Sequence, residues 1–280
     1  MSYRFYFERK ILMDLNITAT QIRKSIVDMI YHSQSGHPGG SLSIVELLNY
    51  LYFKEMNVDP SNPTDPKRDR FVLSKGHASP VLYATLAERG FFDKDLLPTF
   101  RKIESPLQGH PDSKKVPGVD VSTGSLGQGV SNAVGLALGA KLDNSEARIY
   151  TILGDGELQE GLVWEAAMAA AHYKLDNLVV MVDNNGLQID GKNEDVISLG
   201  SVADKFRSFD FNVLEIDAHD YGQIEEAFNA ARAHKGAPTA IIAKSIKGKG
   251  ISFMENQPGW HGIAPNKEQL DAAIAELEAL

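Results

Sequence analysis

Short apolar runs alternate with helical patterns through the second half of the chain, and this alternation most constrains its fold. The apolar runs occupy 149–153, 178–182, 213–216 and 240–243, with amphipathic segments between them. The run at 178–182 is apolar throughout, which is typical of a strand covered on both faces of its sheet. Strands that alternate with helices predict right-handed crossovers and an α/β fold, with a doubly wound, mainly parallel sheet and helices on both faces.

The first half of the chain predicts helices and one further strand. Ser43-x-x-Glu46 has the form of a capping box at the start of an amphipathic helix. A short apolar run at 71–73 predicts a strand, and a segment of small residues at about 128–142 predicts a helix. No internal repeat or domain-dividing linker separates these patterns, so we predict a single domain over 1–280.

Composition narrows the class of protein. The 280 residues carry 28 Lys and Arg against 37 Asp and Glu, a net charge of -9, and no Cys. This balance does not favour nucleic acid or an anionic membrane as a partner, and the lack of Cys excludes disulfides, thiolate metal sites and a Cys nucleophile. No apolar run approaches the roughly 18 residues of a membrane span. Residues 1–12 lack the apolar core of a signal peptide, so we interpret them as an N-terminal arm of a cytoplasmic protein.

Two polar turns follow neighbouring predicted strands. Gly154-Asp155-Gly156 comes directly after the run at 149–153, and Asp183-Asn184-Asn185-Gly186 ends the next strand. One strand–helix–strand unit brings both turns to the same edge of the sheet, where open parallel sheets bind ligands. A helix N-terminus there suits a diphosphate, and a carboxylate with a carboxamide suits Mg²⁺ or Ca²⁺. Each turn alone is better explained by turn chemistry, but the pair indicates a metal-bridged diphosphate site.

Two other nucleotide-binding motifs compete with this interpretation, and neither fits the sequence. A Rossmann fingerprint placed on the Gly-rich segment 122–129 would need a small residue where Asn132 stands. A P-loop ending at Gly248-Lys249 would need Ser or Thr as its next residue, and Gly follows instead. The small residues that continue into the predicted helix indicate close helix packing, either in a subunit interface or in the core.

Four of the eight histidines adjoin a glycine: His37, His77, His110 and His261. Chance adjacency would give roughly one such case at this glycine content. Imidazoles on tight loops can read hydroxyl groups and relay protons near neutral pH. A single histidine of this kind is more often a turn residue, whereas for the group of four a shared site and separate turns remain equal alternatives.

With these motifs in place, the chain resembles the N-terminal half of the transketolase family, over residues 18 to 265. Gly154-Asp155-Gly156 followed by Asn184-Asn185 is similar to the thiamine-diphosphate motif, and the four histidine segments are typical of the transketolase branch. The resemblance implies a thiamine-diphosphate-binding fold, of which this chain would be the diphosphate-binding domain. Its cofactors would be thiamine diphosphate and Mg²⁺, or Ca²⁺.

The resemblance also implies roles for individual residues. Metal ligation falls to the side chains of Asp155 and Asn185 and to the carbonyl of Leu187. Contacts to the cofactor fall to His77, Gly124, Ser125, Leu126, Gly156, Ile189 and His261. Contacts to sugar hydroxyls and proton handling fall to His37, His110 and His261. Glu160 and Glu165 resemble acidic residues near the subunit contact.

The chain departs from the family in two ways. Ser125 stands where full-length transketolases usually have Pro, and the chain ends at Leu280 without the domain that carries the glutamate activating the cofactor. It therefore resembles the N-terminal subunit of a split transketolase, inactive alone. The expected partner is a separate C-terminal subunit carrying the pyrimidine-binding domain, in an α2β2 heterotetramer. The expected reaction moves a two-carbon ketol unit from a ketose phosphate to an aldose phosphate.

Three alternatives stay open. An alpha subunit of a 2-oxo acid dehydrogenase would share the metal and diphosphate motif but not the full set of histidines. A deoxyxylulose-phosphate synthase is closer in local sequence but normally carries all its domains on one chain. A non-catalytic subunit would bind the cofactor without restoring activity to any partner.

Overall fold

Five parallel strands form the central sheet of the computed structural model, which describes residues 15–279. They are β1 (Arg70–Leu73), β2 (Ile149–Gly154), β3 (Leu178–Asn184), β6 (Asn212–Asp217) and β7 (Thr239–Lys244). Two short strands, β4 (Leu187–Gln188) and β5 (Gly191–Lys192), form a separate antiparallel hairpin. The order across the sheet is β1-β2-β3-β7-β6, and every neighbouring pair is parallel. The predicted parallel sheet is confirmed, and the arm predicted at 1–12 lies outside the described residues.

Helices cover both faces of this sheet, as a doubly wound fold requires. They are α1 (Leu15–Ser33), α2 (Pro38–Leu42), α3 (Val45–Tyr50), α4 (Ser79–Arg89), α5 (Gln128–Leu142), α6 (Gly161–His172), α7 (Asn193–Val196), α8 (Val202–Ser208), α9 (Tyr221–Ala233) and α10 (Lys267–Glu278). Apolar residues of α1, α3, α4, α9 and α10 share one core with Tyr150 and Ile152 of β2. Residues of α5, α6 and α8 share the other core with Ile149 and Leu153. Alternate residues of one strand thus enter opposite cores.

No helix within 15–279 is both long and apolar enough to cross a bilayer.

The capping box predicted at Ser43-x-x-Glu46 is wrong. Helix α3 begins at Val45, and no side chain caps it. The Ser43 hydroxyl instead donates to Asp183 Oδ2 at 2.6 Å, and Glu46 Oε1 accepts from Arg23 Nη2 at 2.5 Å. Both side chains are buried, so bonds to distant charged groups take precedence over local capping.

Helix α5, predicted at 128–142, approaches the end of β1 at van der Waals distance. A Cβ atom at Gly129 would lie 2.5 Å from Ser74 Cα, whereas a Cβ at Gly135 on the same helix would meet nothing within 4 Å. The N-terminal turn of α5 can therefore sit this close to β1 only because residue 129 has no side chain.

Alanine substitutions at these two glycines should have opposite effects. Gly129→Ala is expected to lower the free energy of unfolding by about 1–3 kcal/mol, because the backbone of β1 must move. Gly135→Ala should raise it by about 1 kcal/mol through helix propensity alone. Denaturant unfolding of the full chain checks both, and equal effects at the two positions would contradict the close approach.

Candidate active site

A cavity of about 280 Å³ opens at the carboxyl edge of the sheet, where β1, β2, β3 and β7 end. It collects residues that lie far apart in the sequence, as expected for the carboxyl ends of parallel strands. Ten of the predicted site residues line it: His37, His77, Gly124, Leu126, Asp155, Gly156, Asn185, Leu187, Ile189 and His261. The two polar turns and three of the four histidine segments therefore meet in one place.

Backbone N–H groups hold the side-chain oxygen atoms of Asp155 and Asn185 in place at this cavity. The Asp155 carboxylate accepts the backbone N–H of Gly156 at 2.8 Å and that of Gly186 at 2.5 Å. Asn185 Oδ1 accepts the N–H of Leu187 at 3.0 Å. Each oxygen keeps a second lone pair, so these bonds orient the side chains without using up their capacity to bind a cation.

The donor set fits a hard divalent cation. One carboxylate, one carboxamide and the backbone carbonyls of the turn are the oxygen ligands that Mg²⁺ and Ca²⁺ prefer. Burial, followed by the nearby Asp183 carboxylate, raises the pKa of Asp155 to about 6, and a bound cation would offset both effects. Within 15–279 no three His, Cys, Asp or Glu side chains gather as a metal site; backbone carbonyls, water or oxygens of a bound ligand would complete this shell.

The buried carboxylate of Asp183 ties together several segments of the site through hydrogen bonds. Its Oδ2 accepts Lys75 Nζ at 2.5 Å, Ser43 Oγ at 2.6 Å and Asn185 Nδ2 at 2.9 Å, and its Oδ1 accepts the Ser245 hydroxyl. Burial alone would raise the pKa of Asp183, but the Lys75 ammonium and the hydroxyl donors hold it below its ordinary value. Asp183 is therefore an ionised carboxylate whose two oxygens both accept hydrogen bonds, and it orients the Asn185 amide.

Three histidine rings form one wall of the cavity. The centroids of His37 and His77 lie 5.2 Å apart, those of His37 and His261 5.2 Å, and those of His77 and His261 5.4 Å. Burial and nearby positive groups, chiefly Arg101 for His37 and Lys247 for His261, lower the pKa of each to about 4. Burial and Lys75 lower the pKa of His77 well below its ordinary value. All three rings are neutral at pH 7, so each can accept or donate a single proton.

Two buried lysines bring ammonium groups to the cavity, and sequence reasoning missed both. Lys75 Nζ also donates to the Gly40 carbonyl at 2.7 Å. Lys247 Nζ lies 3.1 Å from His261 Nδ1 and 3.5 Å from the Leu187 carbonyl. Burial and the neighbouring Lys75 lower the pKa of Lys247 to about 8, so it is still mostly protonated at pH 7. The ammonium group of Lys247 suits an anion, whereas that of Lys75 pairs with Asp183. The available signal was that each lysine follows closely after a predicted strand.

Glu157 anchors the Gly-rich segment and was also missed. Its Oε1 accepts the Ser74 hydroxyl at 2.5 Å and the Gly127 N–H at 2.9 Å, and its Oε2 accepts the Gly154 N–H at 3.0 Å. Helix α5 has no side-chain cap of its own, so this carboxylate from another segment satisfies its first turn. The anchor fixes the loop that brings Gly124 and Leu126 to the cavity.

Four predicted residues lie outside the cavity lining. The His110 ring covers Gly124, where a Cβ would lie 3.0 Å from the ring. Ser125, Glu160 and Glu165 are exposed on the surface beside it. Glu160 approaches the start of α5, since a Cβ at Gly127 would lie 3.0 Å from Glu160 Cβ. The roles assigned to these residues stay predictions.

The lowered pKa values predict how acid affects the unliganded chain. His37 and His261 titrate near 4 when folded and near 6.5 when unfolded, so the unfolded state binds more protons in this window. The free energy of unfolding should therefore decrease as the pH falls from 6.5 towards 4. Asp155 acts in the opposite sense because its folded pKa is raised, but it is common to the wild type and to His37→Asn.

Comparison of these two proteins isolates the contribution of His37. Urea unfolding at pH 7 and at pH 5 should show a larger loss of stability for the wild type than for His37→Asn. An NMR titration of the His37 ring with a midpoint near 6.5 would contradict the prediction.

The comparisons with known proteins agree with this geometry. A family model described as "Transketolase, thiamine diphosphate binding domain" matches residues 15–277. The chain is 46% identical over 266 residues to 6-deoxy-6-sulfo-D-fructose transketolase subunit SqwG of Clostridium sp. (strain MSTE9), covering 95% of this chain and 97% of that protein. It is 42% identical over 263 residues to an apulose-4-phosphate transketolase subunit of Phocaeicola vulgatus, covering 94% and 93%.

The same similarity extends to solved structures. The structure of transketolase from Campylobacter jejuni matches with a TM-score of 0.90 and 35% identity, over 95% of this chain and 43% of that one. The chain thus spans nearly all of the relatives that are named as subunits and less than half of the crystallised transketolase. It belongs to the transketolase family of thiamine-diphosphate-dependent transferases and carries the family's thiamine diphosphate binding domain.

Proposed function

We propose that this chain is the N-terminal subunit of a two-chain transketolase. It would transfer a two-carbon ketol unit from a ketose phosphate to an aldose phosphate, in complex with a C-terminal partner. The observation that carries the proposal is the single cavity that joins a cation-ready pair, Asp155 and Asn185, with two buried lysines and three neutral histidines. The two relatives named as transketolase subunits support it.

Different residues of the cavity would bind different parts of the cofactor. Asp155, Asn185 and the Leu187 carbonyl would hold Mg²⁺ or Ca²⁺, and Gly156, His77, His261 and the Lys247 ammonium would meet the diphosphate of thiamine diphosphate. Gly124, Ser125 and Leu126 would line the aminopyrimidine, and Ile189 would contact its ring system. The cofactor, when bound, supplies the carbanion chemistry.

The histidines are placed to handle the substrate. His37 and His261 are neutral and border the cavity, so each can bind a sugar hydroxyl and take up its proton. The Nδ1 atom of His37 is buried, and it has no hydrogen-bond partner within residues 15–279. His110, next to Gly124, would act at the outer side of the same site.

Exposed apolar side chains beside the site indicate a covering partner. Ile189 lines the cavity yet is 66% exposed, and Ile197 and Ile263 are 59% and 58% exposed. Exposed apolar groups around a binding site are typical of an interface. We assign this face to a separate chain that carries the pyrimidine-binding domain, with Glu160 and Glu165 near the contact and an α2β2 assembly. We further propose that residues 1–280 form one domain.

Reconstitution tests the proposed function. Ketol transfer from a ketose phosphate to an aldose phosphate is measured with thiamine diphosphate and Mg²⁺, using this chain alone and mixed with a candidate C-terminal subunit. Activity is expected only in the mixture. Activity of the chain alone would contradict the two-chain proposal, and cofactor binding without activity in any mixture would favour a non-catalytic subunit.

His37→Ala provides the discriminating variant for the same assay. Turnover in the mixture should fall by about 10²-fold or more, the range of a lost general acid or base. The affinity for thiamine diphosphate should be largely kept, because His37 is not among the proposed metal or diphosphate ligands. Unchanged turnover would refute the catalytic role.

A further inference from the structure

A buried network of three charged or polar side chains lies behind the cavity, on segments that the proposed function does not use. Arg23 of α1 donates from Nη2 to Glu46 Oε1 at 2.5 Å, and Glu46 Oε2 lies 3.0 Å from His219 Nδ1. His219 follows β6 at the same edge of the sheet as the cavity. Arg23 and Glu46 are buried and His219 is half-buried, and the charges of Arg23 and Glu46 pair with each other.

The hydrogen bonds fix the protonation of the network. His219 Nε2 accepts the backbone N–H of Ile246 at 3.0 Å, so the ring proton lies on Nδ1 and is donated to Glu46. Burial alone would raise the pKa of Glu46, but the bonds from His219 and the charge of Arg23 lower it to about 2. The network is therefore an ionised Glu46 between an arginine and a neutral histidine.

The network ends on the segment 245–250, which follows β7. Besides the bond from Ile246 to His219, the Lys249 carbonyl accepts Arg23 Nε at 3.0 Å. Gly250 passes so close to Arg23 that a Cβ there would lie 2.7 Å from Nε. The backbone of this segment is thus held at two points from the side of the network.

The side chains of Ser245 and Lys247 in the same segment contact residues that line the cavity. The Ser245 hydroxyl donates to Asp183. Lys247 Nζ reaches His261 and the Leu187 carbonyl. Backbone groups at 246 and 249 therefore bond the network, while the side chain at 247 lines the cavity and that at 245 bonds Asp183 of the lining. A shift of this backbone would move the ammonium group of Lys247.

We propose that His219, oriented by Glu46 and Arg23, is a positioning residue that sets where Lys247 stands in the cofactor cavity. The assignment rests on the proposed function, because it concerns the affinity of the cavity for the diphosphate. His219 does not line the cavity and acts only through the amide of Ile246.

Two polar variants separate positioning from general stability. His219→Gln keeps an acceptor that can reach the Ile246 amide but loses the donor to Glu46. His219→Asn keeps a donor near Glu46 but is too short to reach Ile246. If His219 only stabilises the fold, both variants lose one buried bond and should behave alike. If it positions Lys247, only His219→Asn should weaken the cofactor site.

Two readouts on the full chain, mixed with its C-terminal subunit, test this. Amide hydrogen exchange of Ile246, measured without cofactor, should accelerate about tenfold or more in His219→Asn and little in His219→Gln, because only the former leaves that amide unbonded. The dissociation constant of thiamine diphosphate with Mg²⁺ should rise about tenfold in His219→Asn, with kcat at saturating cofactor kept. His172→Asn, at an exposed histidine, is the matched surface control and should change neither readout.

The possible outcomes are distinct. Equal cofactor affinity in both variants and the wild type overturns the positioning role, as does an equal loss in the two variants. If the wild type itself binds no thiamine diphosphate, the proposed function fails, whereas the exchange of the Ile246 amide still reports on the network. Rescue by His219→Gln of both readouts supports the inference.

Discussion

Asp155→Ala is expected to abolish Mg²⁺-dependent binding of thiamine diphosphate and the ketol transfer that depends on it. Asp155 is the one carboxylate in the proposed ligand set, and its two oxygens are already aimed by the N–H groups of Gly156 and Gly186. A metal that stabilises a diphosphate contributes several kcal/mol, so the loss should be about 10³-fold or more. Calorimetric titration of the reconstituted complex with thiamine diphosphate, with and without Mg²⁺, measures it.

Asp195→Ala is the control for that experiment. Asp195 lies in the short helix α7 of the same loop region and is exposed, so its loss tests whether any nearby carboxylate suffices. Affinity should be unchanged in this variant. If Asp155→Ala retained Mg²⁺-dependent binding within a few-fold of the wild type, the metal site would have to lie elsewhere.

The second large effect is on stability and concerns Asp183. Asp183→Ala removes the carboxylate that pairs with the Lys75 ammonium at 2.5 Å, and both side chains are buried. An unpaired buried charge typically costs about 3–5 kcal/mol, so the free energy of unfolding should fall by that amount. Urea unfolding of the full chain without cofactor measures it, and a loss below about 1 kcal/mol would contradict the buried pair.

Two further variants test whether the fall in the free energy of unfolding comes from the unpaired Lys75 ammonium. Removal of both charges in Lys75→Met/Asp183→Ala should recover part of the loss, since the buried cation is then gone. Asp204→Ala breaks an exposed pair with Arg207 and should leave the unfolding midpoint nearly unchanged. Equal losses in all three variants would mean that the effect is not electrostatic.

The sequence predicted the sheet and the helix α5 well because their signals are local. Strand runs at 149–153 and 178–182 carry their own apolar pattern, and they appear as β2 and β3 with one or two added residues. The turn residues Asp155 and Asn185 were placed together by topology alone, since parallel strands end at a common edge. The two turns do border one cavity, because each follows its strand directly.

The remaining site residues depend on contacts that no short window of sequence contains. The Ser43 hydroxyl finds its acceptor 140 positions away, and His219 bonds Glu46 across 173 positions. Lys75 and Lys247 are lysines, a residue type that is seldom buried, so only the folded chain shows that both ammonium groups face the cavity. Buried charge is decided by the tertiary structure and was therefore missed.

The carboxylate of Asp183 also bears on how this protein can diverge. Four segments that build the floor of the cavity, those of Ser43, Lys75, Asn185 and Ser245, are tied to one pair of oxygen atoms. Effects of substitutions within such a shared network do not add, so each neighbour constrains what evolution can accept at the others. The floor can change only by coordinated replacement, whereas exposed rim positions such as Ile189 and Ser125 can vary one at a time. New substrate preferences should accordingly arise at the rim.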